Sequence, residues 1–120
     1  KKDPTALELI DKLQPNIRVV YDDLNTYAQA LGDDVQYKPT YYYIAYKRIR
    51  NFMCVHVYPQ KGQIICNLNL EPTPNRIIDE FSRDVTDIGH WGTGSLELTL
   101  TCSEDLERAK PFIEAAYEGR

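Results

Sequence analysis

The sequence predicts an α+β fold, with an antiparallel sheet of about five strands and N-terminal and C-terminal helices packed on one face. Three observations carry this expectation. Residues 16–31 repeat their apolar positions at helical spacing. From Val35 the texture changes to β-branched and aromatic residues, in runs bounded by proline and glycine. After Ser103 a second apolar stripe at helical spacing closes the chain. Strands gathered in the middle, with helices at both ends, point to a sheet covered by helices rather than to alternating βαβ units. With 120 residues, 42% of them hydrophobic, the chain is long enough for one domain with a real core.

The elements follow in order. Residues 3–13 read as a short helix. Pro4 suits a first turn, Thr5 and Glu8 have capping-box spacing, and Leu7, Ile10 and Leu13 line one side. Pro15 restarts the chain at a new N-terminus. Ile17, Val20, Leu24, Ala28 and Leu31 then define a helix over 16–31, with Tyr21 and Tyr27 beside the stripe and Gly32 at the place of a C-terminal cap. Val35–Lys38 is a short strand ended by Pro39. Tyr41–Lys47 is a second strand. Its alternation sets Tyr41, Tyr43, Ala45 and Lys47 on one face, and Tyr42, Ile44, Tyr46 and Arg48 on the other.

Asn51–Tyr58 is a third strand, apolar on both faces and therefore central. Lys61-Gly62 turns the chain back into Gln63–Leu70, with Ile64, Cys66, Leu68 and Leu70 inward. Glu71–Asn75, with two prolines, is a loop, and Arg76–Phe81 a brief helical turn. A glycine-rich loop, Arg83 to Gly94, runs into strand Ser95–Cys102, which points Leu96, Leu98, Leu100 and Cys102 to one side. Ser103 is the expected N-cap of the last helix, with Glu104 and Asp105 in its first turn. Leu106, Ala109, Ile113, Ala116 and Tyr117 form the stripe of that helix, and Pro111 is expected to kink it.

Composition excludes several classes. Cys54, Cys66 and Cys102 are odd in number and lack paired spacing, so no disulfide framework or zinc site is expected. Read as small hydrophobes within strands, they imply a reducing compartment, the cytoplasm. No apolar run approaches the roughly 20 residues that span a bilayer. The formal net charge of −4 argues against a strong nonspecific grip on nucleic acid. The charge is uneven, however. Val35 to Leu70 contains no Asp or Glu, yet holds Lys38, Lys47, Arg48, Arg50 and Lys61.

Two segments carry candidate chemistry. The run from Tyr41 to Arg50 interleaves rings with cations, as surfaces that stack bases and hold phosphates do, and it equally fits a half-buried strand whose cations end in solvent. Arg83 to Gly94 holds the only tryptophan, Trp91, beside His90 and three of the six glycines. His90 is a candidate base or phosphate contact, oriented by Asp84 or Asp87, and the glycines could offer backbone N–H groups to an anion. The alternative is a structural corner, with Trp91 plugging the core. His56, mid-strand among apolar residues, reads as a satisfied sheet-face histidine. The sequence has no P-loop, no dinucleotide glycine fingerprint, no HExxH and no nucleophile elbow. Glu97-Leu98-Thr99 lacks the lysine of a PD-(D/E)XK nuclease.

Tyr43-Ile44-Ala45-Tyr46-Lys47 followed by Arg50-Asn51-Phe52, and Arg83-Asp84-Val85 leading into Gly89-His90-Trp91-Gly92-Thr93-Gly94, then Leu96-Glu97 and the closing Ala116-Tyr117-Glu118, are similar to an uncharacterised bacterial C-terminal domain family. Some of its members carry the label "predicted transport protein". The likeness runs from about Leu13 onward. It implies a single domain, residues 1–120, at the C-terminal end of a larger protein. It also implies association with restriction-endonuclease-like proteins, and it carries over no catalytic residue.

The expectation that results is a non-catalytic accessory module of a DNA-acting bacterial protein, binding nucleic acid or a nucleotide-like ligand without cofactor or metal. Tyr43, Lys47 and Arg50 would supply stacking and charge, while Arg83, Asp84, His90 and Trp91 would shape the pocket. A shared surface requires Lys47 and His90 to meet in the fold. A protein-interaction or dimerisation module is the alternative, and a small His90/Asp84-dependent enzyme a further one.

Overall fold

The computed structural model describes residues 2–120. Its order is α1 (Ala6–Asp11), α2 (Pro15–Gln29), β1 (Gln36–Pro39), β2 (Ile44–Lys47), β3 (Asn51–Tyr58), β4 (Gln63–Leu68), β5 (Ser82–Asp84), β6 (Leu96–Leu100) and α3 (Ser103–Glu118). The strands form one six-stranded antiparallel sheet in the order β1-β2-β3-β4-β6-β5. The α+β class is as the sequence predicts, with one strand more.

Alternation along each strand sorts the sheet into two faces. Ile44, Tyr46, Met53, Val55, Val57, Ile64, Cys66, Leu68, Leu96, Leu98 and Leu100 turn to one side. There they form a single core with Ile10, Ile17, Val20 and Leu24 of the first two helices and Leu106, Ala109 and Ile113 of α3. Thr5 caps α1 reciprocally with Glu8, and Pro15 opens α2. Tyr46 is fully buried, and its hydroxyl donates to Asn25 Oδ1 at 2.7 Å, which ties the sheet to α2. Phe52 is the extra residue where the β2–β3 register shifts, and it meets Tyr117 of α3 edge-on.

Several local expectations are corrected. Tyr41–Tyr43 are not strand. Thr40 closes a turn, its N–H and hydroxyl both donating to the Tyr43 carbonyl, so β2 begins only at Ile44. The same turn anchors the N-terminal segment. The Tyr41 carbonyl accepts from Ala6 N–H, and the Tyr41 hydroxyl donates to the Asp3 carbonyl. The short helical turn falls at Pro74–Arg76, before the predicted position. β5 arises inside the expected loop. Cys102 is exposed at the N-cap of α3 rather than inside a strand, and Asp105 turns back to accept from Thr101 N–H and Oγ1. Helix α2 ends at Ala30 in right-handed geometry, not at Gly32.

Helix α3 continues through Pro111 as one element. Proline there removes the N–H that would bond the Glu107 carbonyl. Pro111 is exposed, so its ring contributes little packing. Pro111→Ala should therefore raise stability, by up to about 3 kcal/mol, read as a higher midpoint in urea unfolding.

A glycine strap over a polar row

The sheet face turned away from the helices carries a different set. One cross-strand row runs Lys38, Ala45, Cys54, Asn67, Glu97, Arg83. His56 and Tyr58 of β3 and Ile65 of β4 lie on the same face. The core helices pack against the opposite side. Residues 85–95 fold back across it as a strap.

Four contacts fasten the strap. Val85 N–H donates to the Ser95 carbonyl at 2.9 Å and closes the loop at its base. Thr93 N–H points to Cys54 Sγ at 3.3 Å. His56 Nε2 lies 2.9 Å from the Trp91 carbonyl oxygen; a carbonyl only accepts, so Nε2 carries the hydrogen. The Trp91 ring stacks on Tyr42 at 4.2 Å and 8°. Two glycines make the close approach feasible. Gly92 has φ 83°, and a Cβ there would lie 2.8 Å from the Cys54 side chain. Gly94 has φ 134°, and a Cβ there would lie 2.7 Å from the Asn67 backbone carbon.

Beneath and beside the strap is a cavity of about 310 Å³, lined by His56, Tyr58, Asn67, Arg83, His90, Trp91 and Glu97 among others. Arg83 Nε donates to Glu97 Oε1 at 2.7 Å, and this carboxylate raises the guanidinium pKa further. Trp91 is 56% exposed, so it does not plug the core, and His90 is exposed beside it. Asn67 is 1% exposed, yet its Nδ2 has no hydrogen-bond partner.

The residues singled out in the sequence divide. Arg83, His90 and Trp91 meet in this cavity. Asp84 does not line it; its carboxylate accepts from Thr86 N–H and Oγ1, which holds it below the usual carboxylate range. Tyr43 lies under the strap, next to Gly92 and 6.0 Å from the His56 ring, so Tyr42 rather than Tyr43 provides the stacking surface. Lys47 points to the strap side of the sheet but lines no part of the cavity. Arg50 lines a separate cavity of about 600 Å³ at the end of α3. There the β2–β3 turn also projects Ile49, 94% exposed. His56, Asn67 and Glu97 as cavity residues escaped the sequence reading. For His56 the available signal was a polar side chain inside a strand apolar on both faces; Asn67 and Glu97 carried no such local signal.

Burial pushes the Cys54 thiol up and the Cys66 thiol up to about 12, so both stay protonated and unreactive. Among the described residues, no group of three His, Cys, Asp or Glu is placed to hold a metal. No described helix is long and apolar enough to cross a membrane.

Residues 6–119 match the family described as Domain of unknown function (DUF5655). The chain belongs to this family. It is also similar to a protein of Haemophilus influenzae (strain Rd) described as "Uncharacterized protein", at 27% identity over 105 residues. That match covers 85% of this chain and 33% of the relative, so the chain spans about a third of that relative's length. No solved structure matches.

Two expectations concern the strap of this DUF5655 domain. Gly94→Ala should destabilise it by about 1–3 kcal/mol, because the new Cβ would meet backbone, whereas Gly89→Ala meets nothing and should be neutral. Urea unfolding of the pair checks this. The second concerns pH. Burial lowers the His56 pKa and outweighs the Trp91 and Tyr42 carbonyls, while His90 and Glu97 add smaller opposing effects. The unfolded chain therefore takes up the proton first. Stability is full above the unfolded histidine value, about 6.5, and falls as pH drops toward the lower folded value. Between pH 6.5 and 5 the melting temperature should fall and Trp91 fluorescence change together. His56→Gln should remove the coupling.

Proposed function

We propose that this domain is a non-catalytic binding module for nucleic acid or a nucleotide-like ligand, acting at the strap cavity. The observation that carries it is the convergence of two rings, Tyr58 and Trp91, with Arg83 and His90 around one opening. Rings stack on bases, and a guanidinium and an imidazole N–H at the rim suit phosphate oxygens. The carboxylates near the site favour binding over reaction. Asp84 is turned to Thr86, and Glu97 is held by Arg83.

The match to a third of a longer relative supports a place beside other domains, and a DNA-acting parent in the bacterial cytoplasm is what the motif resemblance implies.

Trp91 is the only tryptophan, so intrinsic fluorescence reads the site directly. Titration with short single-stranded DNA or RNA at low salt should quench it. Because few cations line the cavity, the salt dependence should be shallow, with a log–log slope of about −1 to −2. Arg83→Ala should weaken binding and flatten that slope. An unchanged spectrum with every oligonucleotide at low salt would rule the module reading out.

A further inference from the structure

We infer that the cavity reads the hydrogen-bonding edge of a single nucleobase, with the Asn67 amide donating to the base's acceptor and the Glu97 carboxylate accepting from the neighbouring N–H. This deepens the binding-module reading and rests on it.

Asn67 and Glu97 are direct cross-strand partners, so their side chains stand side by side on the strap face. Each has unused capacity of opposite kind. Asn67 Nδ2 is unpartnered although the residue is 1% exposed. A buried donor left unsatisfied is a standing penalty, and an apolar residue at this central-strand position would avoid it. The neighbours on its row do not relieve it. Cys54 Sγ is occupied by Thr93 N–H and Asn51 Nδ2. Glu97 faces Arg83 on its other flank, at 2.7 Å and 3.4 Å, and each carboxylate oxygen keeps a further lone pair.

A free donor beside a free acceptor selects a ligand with an acceptor beside an N–H. Phosphates and carboxylates only accept, and Glu97 would repel them from this end. Sugars offer hydroxyls but no flat edge. Nucleobases carry an adjacent acceptor and N–H on one planar edge, and their faces suit the flanking Tyr58 and Trp91 rings. A cavity of about 310 Å³ has room for one base, and the edge that meets Asn67 and Glu97 is the one a pairing partner would occupy, so the base is free or unpaired. Arg83 and His90, at the rim, are placed for its phosphate. The strap crosses directly over the Asn67–Leu68 backbone, so the base edge reaches the amide as the strap shifts outward. That movement carries Trp91 with it.

The test titrates the protein with GMP, AMP, UMP, ribose 5-phosphate and short single-stranded oligonucleotides. Trp91 fluorescence and the Asn67 side-chain amide resonances are followed. Nucleotides, or unpaired bases within a strand, should bind at least about tenfold more tightly than ribose 5-phosphate and should shift the Asn67 amide. Asn67→Leu, which removes the orphan donor at similar volume, should fold with unchanged strap fluorescence and lose about tenfold or more in base affinity. Mononucleotide binding would identify a free nucleotide as ligand; binding of oligonucleotides alone would identify an unpaired base in a strand. Equal binding of ribose 5-phosphate, an unmoved Asn67 amide, or wild-type affinity in Asn67→Leu overturns the base-edge inference while leaving the module reading intact. No response to any ligand overturns both.

Discussion

Two-sided burial of the central strands β3 and β4 is the constraint on which the rest of this domain depends. Both are almost wholly buried, yet helices cover only one side of the sheet. The second cover has to come from the chain itself, and residues 85–95 provide it. A loop laid on a sheet face brings backbone polar groups into a partly dry place, where each needs a partner. Cys54 and His56 are those partners. The histidine in an otherwise apolar strand is thus explained by the Trp91 carbonyl it holds, and the glycines by how close the strap must come.

A cover made of loop differs from a cover made of helix. Helix packing excludes water along its whole length, whereas the strap touches the sheet at a few points and leaves a cavity beside them. The polar row beneath, Cys54-Asn67-Glu97-Arg83, grows more polar from the centre of the sheet toward the β5 edge. Charge therefore increases toward the cavity mouth, while the aromatic rings stand at the side of the Thr40–Tyr43 turn. For the ligand proposed above, that gradient sets a direction: flat and hydrogen-bonding at the inner end, anionic at the outer one.

Much of the fold was legible because it follows periodicity. Helix α2, the β3–β4 pair and the inward leucines of β6 are all regular patterns, and regular patterns survive tertiary context. The misses share a physical cause. Tyr41–Tyr43 look like strand by composition, but Thr40 holds them in a turn by hydrogen bonds that composition does not express. Ser82-Arg83-Asp84 look like loop, yet they pair with Leu96–Leu98 because β6 needs a neighbour on its open edge. At the site, Arg83, His90 and Trp91 stood out as unusual residues near glycines. Asn67 and Glu97 did not, since their significance lies in a cross-strand register that no local window contains. Lys47 and Arg50 were drawn in by sequence proximity to the tyrosines, and the β2–β3 turn carries Arg50 to the far end of α3.

The net charge of −4 is compatible with this division of labour. A protein that grips nucleic acid through phosphates needs many cations along one surface, and its affinity collapses with salt. Here most of the arginines are committed to structure. Arg48 holds Asp34 and the Tyr117 carbonyl, Arg18 spans Asp11 and Asp22, and Arg108 pairs with Asp105. What is left near the strap is one guanidinium, Arg83, already paired with Glu97, together with the His90 imidazole and two rings. Affinity from such a set comes from stacking and from desolvated hydrogen bonds, which depend on shape more than on charge. A site of this kind holds one base well and a polyanion poorly. Under the proposed function, that behaviour suits an accessory domain that reads one nucleotide without anchoring its parent along the whole strand.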